Sequence, residues 1–162
     1  MVIGVTGHRS FDMADTSRRV DRLLDEIIDA LQPVVVSSLA EGADRLVVDR
    51  VLARPRARLA VVLPLKAADY ERDFATSESV ADFRAYLARA DTVDTVAVPV
   101  GATREEAYEL AGLEVVARCD VLIALWDGAP SRGRGGTADI VRHAREIGRR
   151  VDIVTVERAA GR

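Results

Sequence analysis

Two loops of this chain gather the residue types that hold phosphate and sugar. The first is "SRGRGGTADI", Ser131 to Ile140, with three glycines and two arginines. It follows the apolar run "DVLIALWDG" and leads into a helical pattern. Gly133, Gly135 and Ala138 match G-x-G-x-x-A, but after the fifth strand-like run and not the first, so a standard dinucleotide fingerprint is not expected. The physics of the loop is more general. Gly135 and Gly136 let backbone N–H groups approach an anion, and Thr137 adds a hydroxyl at a helix N-terminus. The alternative is a glycine loop with Thr137 as an ordinary N-cap.

The second loop is "SSLAEGAD", in which Ser38, Ala40, Gly42 and Asp44 give S-x-A-x-G-x-D between a strand and a helix. Glu41 is a candidate nucleophile or general base for N-glycoside cleavage, or a solvated loop residue. Asp44 falls in a first helical turn, where a carboxylate is favourable for dipole reasons alone. Near the first strand, "TGHRSF" offers Gly7, His8 as proton donor or phosphate contact, and Arg9 as a positive charge. Trp126 is placed to stack on a base or to join the core. Asp127 is placed to bind ribose or to cap its turn. Tyr70, Arg72 and Asp73 lie on a polar segment that reads as a lid or a plain connector. His143 reads as surface and Cys119 as packing.

The elements that would position these residues alternate. Strand-like runs occur at Val2–Thr6, Val34–Ser38, Arg58–Pro64, Asp94–Val100, Asp120–Asp127 and Arg150–Glu157. Helical spacing separates them, as in Val20, Leu24, Ile27 and Leu31, with Asp15 or Thr16 as candidate N-cap. "TREE", Thr103–Glu106, is a capping box. Such alternation predicts a Rossmann-like α/β fold: three α/β/α layers around a mostly parallel sheet of about six strands, in the order 3-2-1-4-5-6. Ligands of such sheets bind at the carboxyl ends of strands. The loops after strands one, two, three and five have the unusual compositions. A single domain over 1–157 is expected, with 158–162 a frayed tail.

Composition narrows the functions. The net charge of -3 and the 23 basic against 26 acidic residues argue against strong nucleic-acid binding. One cysteine and two histidines leave no expectation of a disulfide or a metal site. No run approaches about 18 apolar residues, so no membrane span is expected. The chain enters "MVIGVTG" without a charged leader, which predicts a cytoplasmic protein.

"SSLAEGAD" resembles the S-G-x-A-x-G-x-D loop of the Smf/DprA DNA-processing proteins, and "GGT" at 135–137 resembles their later Gly-Gly-Thr turn. "GVTGHR" at 4–9 looks like the opening of small bacterial members of the same SLOG superfamily, which also includes the Lonely Guy phosphoribohydrolases. The resemblance implies a pocket for a nucleotide or nucleotide-sugar such as AMP or ADP-ribose. It puts Gly135, Gly136 and Thr137 at phosphate, and Ser38, Glu41, Gly42 and Asp44 along ribose or phosphate. Lonely Guy enzymes carry P-G-G-x-G-T-x-x-E, whose Glu is needed for catalysis. Here that position is Ile140, and Asp139 lies one residue early, turned by roughly 100° on a helix. The expected function is therefore a ligand sensor or carrier, with no bound cofactor and with a homo-oligomer as a further expectation. The alternatives are a nucleoside-phosphate glycohydrolase using Glu41 or Asp139, and, third, a DNA-processing protein.

Overall fold

The computed structural model describes residues 1–158; the rest of the expected tail, 159–162, lies outside the described residues. Among the described residues six strands form one sheet: β1 (Val2–Gly7), β2 (Val34–Ser37), β3 (Arg58–Leu63), β4 (Thr92–Thr95), β5 (Val121–Trp126) and β6 (Arg150–Thr155). All neighbours are parallel, in the order β4-β3-β2-β1-β5-β6. The helices are α1 (Met13–Ile27), α2 (Ala43–Leu52), the single turn α3 (Ala67–Tyr70), α4 (Ser77–Arg89), α5 (Arg104–Arg118) and α6 (Thr137–Glu146). A 3-10 turn, Glu71–Asp73, follows α3.

The Rossmann-like three-layer class stands, and the Val-rich strands explain it. Both faces of a parallel sheet are covered, so β5 is buried from Val121 through Leu125. On one face Ile3, Val35, Leu59 and Ile123 pack with Val20 and Leu24 of α1, Val47 of α2 and Phe83 of α4. On the other, Val36, Val62 and Leu122 meet Ala111 and Val115 of α5 and Ile140 of α6. Asp12 caps α1 by accepting from the Asp15 N–H at 2.9 Å, so that helix begins earlier than the apolar spacing implies. Both halves of the capping box form at α5: the Glu106 N–H donates to Thr103 Oγ1 and the Thr103 N–H to Glu106 Oε2.

The expected strand order needs one correction. The fourth strand does not lie between β1 and β5; those two pair directly, Ile3 with Val121 through Gly7 with Leu125, and β4 sits at the far edge beside β3. Composition explains the exchange. All four residues of β4 are exposed and three of them are polar. A strand beside β1 would be covered on both faces and would need an apolar run. The apolar stretch Val96–Val100 falls outside the strand, with Val98 and Val100 exposed. As a result β3, β2, β1 and β5 are contiguous. Their following loops are the four of unusual composition.

Candidate functional site

A cleft of about 650 Å³ opens at the carboxyl ends of these central strands. Its walls are the end of β1 (Gly7, His8, Arg9), the β2–α2 turn (Ser38, Asp44), Tyr70, one face of α5, and the glycine loop with Gly133, Gly135, Gly136 and Thr137. The start of α6, at Gly136 and Thr137, lines it, as does Asp44 in the first turn of α2. Glu41, Gly42, Trp126 and Asp127 are not among the lining residues.

The glycine loop is braced from within and against α5. Gly135 has φ +74°, and a Cβ there would lie 2.8 Å from Glu109 Cβ, so both conformation and space require glycine. Its N–H donates to Asp139 Oδ2 at 3.2 Å, and the Asp139 N–H donates to Ser131 Oγ at 3.2 Å. Asp139 also pairs with Arg142 at 3.2 Å. Its carboxylate therefore ties the loop to α6. Gly136, and not Thr137, is the N-cap of α6, with φ −67°. Among the described residues, the N–H groups of Gly136, Thr137 and Ala138 meet no protein acceptor. Such free amides, at the positive end of a helix dipole, form an anion seat. Arg134 is held by Glu106 at 3.0 Å and Glu109 at 2.8 Å. Arg9 and Arg132 are exposed on the cleft wall and form no ion pair among the described residues.

The β2–α2 turn is strained and tightly packed. Leu39, fully buried, has φ +59°. A Cβ on Gly42 would strike the Arg9 carbonyl, so this glycine lets the β1 loop cross the start of α2. Arg45 holds the turn from behind: Nε donates to the Leu39 carbonyl at 3.0 Å, Nη1 to the Ser79 carbonyl at 3.0 Å, and the guanidinium lies 4.5 Å from the Phe74 ring centre. Glu41 is part of the same clamp, accepting from the Ala75 N–H at 3.1 Å and Ser79 Oγ at 2.9 Å.

Asp44 is the carboxylate that reaches the cleft. It is 6% exposed and accepts from Ser37 Oγ at 2.9 Å. Burial pushes its carboxyl up to about 6, against the opposing pull of the Ser37 hydroxyl and the Ala40 and Ser38 amides. On the other side, Asp127 accepts from the Ala129 N–H at 3.0 Å, which with His8 and Arg158 holds its carboxyl below the usual range. His8 Nε2 lies 3.0 Å from Asp127 Oδ1, 3.1 Å from the Asp127 amide and 3.3 Å from Arg158 Nε. That nitrogen can donate to the carboxylate or accept from the two N–H groups, one role at a time. Trp126 Nε1 donates to the Ala129 carbonyl at 2.9 Å, closing the turn.

Sequence reasoning passed over Tyr108 and Arg158, which both line the cleft. Tyr108 shares a helical face with Ala111, Gly112 and Val115, so a polar aromatic beside small residues was the available signal. Arg158 was assigned to the tail; its Nε sits 3.0 Å from Asp127 Oδ2. Among the described residues no three His, Cys, Asp or Glu side chains gather as a metal site, and no helix is long and apolar enough to cross a membrane. Comparison of the sequence with protein-family models and with curated proteins gives no match.

Proposed function

We propose that the cleft binds a phosphorylated nucleoside, of the AMP or ADP-ribose type, and acts as a sensor or carrier site in the cytoplasm. The observation that carries this reading is the start of α6. Three amides without protein acceptors open on a cleft whose wall holds two arginines without carboxylate partners. A phosphate there would accept from the Gly136–Ala138 amides, with Arg9 and Arg132 supplying counter-charge. The volume lies within the roughly 300–1,000 Å³ of small-molecule sites. The resemblance to the SLOG superfamily points the same way.

One observation favours the glycohydrolase as a second reading: Asp44, 6% exposed, is the one acidic residue among those lining the cleft, and burial pushes its carboxyl up toward the range of a general acid. Neither Glu41 nor Asp139 lines the cleft: the first clamps the β2–α2 turn to Ala75 and Ser79, and the second ties the glycine loop to α6. Turnover of AMP is expected to be slow or absent, and release of free base in a chromatographic assay would reverse the order of the two readings.

A thermal melt with a nucleotide panel tests binding. A ligand at about 100 times its Kd adds about 2.7 kcal/mol. For a chain of this size each kcal/mol moves Tm by about 2–4 °C. Replacing Arg9 and Arg132 together by Gln is expected to remove most of the shift. No shift with any nucleotide at millimolar concentration would overturn the proposal.

A further inference from the structure

The sheet is left open at its β4 edge. β4 pairs with β3 on one side and has no neighbour on the other among the described residues. The chain then runs on through Val96–Val100 with little pairing of its own. The Val96 N–H donates to the Leu63 carbonyl, and the Pro99 carbonyl accepts from the Ala102 N–H. Among the described residues the N–H groups of Ala97, Val98 and Val100 meet no protein acceptor. Six of the nine residues from Thr92 to Val100 are Val or Thr, types that favour strands. Seven large apolar side chains are exposed among the described residues, and three of them, Val93, Val98 and Val100, fall in this run. Exposed apolar surface is therefore concentrated where backbone donors are unpaired.

Sheet edges are commonly guarded by charge, a bulge or a cover. β6, at the opposite edge, carries Arg150 and Asp152, 3.0 Å apart, and Arg19 of α1 donates to its Thr155 carbonyl. The β4 edge differs. Its one charge, Asp94, is held by Arg118 of α5 at 2.8 Å, and Asp91 just before it accepts from the Leu59 N–H at 2.9 Å. Both carboxylates are thus turned to neighbours within the chain, and two such edges meet without opposed free charges. Unpaired strand amides between apolar side chains are matched by the edge of another strand. Pairing β4 with itself, antiparallel across a two-fold axis, closes at two copies, whereas head-to-tail pairing with β6 does not. We propose that β4 and the Val96–Val100 run form an interface with the same stretch of a second copy of this chain, joining two six-stranded sheets into one. No residue from 92 to 100 lines the cleft, so the dimer leaves both clefts open, and the inference is independent of what they bind.

Analytical ultracentrifugation of the full chain from micromolar to millimolar concentration tests it, on the wild type, on the double variant Val93→Lys/Val98→Lys and on Ile153→Lys, a control on the β6 edge. Wild type is expected to pass from monomer to one larger species of twice the mass. Lysines on the β4 run bring like charges together across the two-fold axis, so the double variant is expected to raise the dissociation constant at least about tenfold. Ile153→Lys is expected to dimerise like wild type. Each replaced side chain is exposed, so both variants are expected to melt within a few degrees of wild type at the lowest concentration. Hydrogen exchange on the wild type needs no substitution, and decides the matter if the double variant fails to fold. Protection of residues 92–100 is expected to rise with protein concentration, and that of 150–155 to stay constant. A monomer at every concentration overturns the proposal. So does a dimer that the double variant retains at wild-type strength, growth beyond two copies, or concentration-dependent protection that leaves out 92–100.

Discussion

Asp44 shows at the scale of one residue how the site opposes the fold. Its carboxyl lies at about 6 in the folded protein against an ordinary 3.8, with burial as the main cause. Between those values the folded chain holds a proton that the unfolded chain has released. Stability therefore falls as pH rises from about 4 to 6, and above 6 the full penalty stands, roughly 3 kcal/mol at 1.36 kcal/mol per unit. Asp44→Asn keeps an acceptor for Ser37 and removes the charge. Urea unfolding from pH 4 to 8 is expected to show the variant gaining on wild type as pH rises, with the largest advantage at pH 8. A difference independent of pH would mean that the carboxyl is not shifted. A stabilised variant that binds AMP more weakly would place the unfavourable burial in the service of the ligand.

At the scale of the element, the glycine loop divides its work between neighbours. Gly135 carries the positive φ and the close approach to Glu109, so Gly135→Ala is expected to destabilise the protein by about 1–3 kcal/mol. Gly136 has an ordinary φ, and a Cβ there would lie 2.7 Å from Ser131 Oγ. Gly136→Val is therefore expected to displace the loop and abolish AMP binding in calorimetry while the domain melts within a few degrees of wild type. Thr137→Ala leaves the cap in place, because the cap is Gly136, and is expected to weaken binding by less than tenfold. A Gly136→Val protein that binds normally would move the phosphate away from this loop. The loop's glycine content was readable from sequence; which glycine does what was not, because Glu109 and Ser131 approach it only in the folded chain. The same limit applied elsewhere. Continuous Val runs and the Thr103 capping box announced their strands and helix locally. The exposure of Thr92–Thr95, and with it the edge position of β4, is a property of the sheet. Tyr108 meets Tyr70 only because α5 returns across the sheet from β4 to β5.

The whole molecule divides at β1. From there the chain builds outward through β2, β3 and β4, then α5 carries it back to lay β5 and β6 on the other side. The cleft lies over that seam. The amides at the start of α6 belong to one half, and Asp44 and Tyr70 to the other, with Gly7–Arg9 at the join. A nucleotide with phosphate at α6 and sugar at Asp44 would bridge the halves, linking segments that share few backbone hydrogen bonds at this end. Amides in such loops exchange with solvent through local openings, whereas buried strands require larger ones. Hydrogen exchange at short labelling times is therefore expected to slow on adding AMP in three places: residues 6–10, 38–45 and 131–138. The edge strand Thr92–Thr95 and the far groove around Leu24, Leu31 and Pro33 are expected to exchange as before. Protection confined to 131–138 would leave only a phosphate seat on α6 and remove the bridge. Protection centred on the far groove would put the ligand on the opposite end of the sheet, where the free amides at the start of α6 could not reach it.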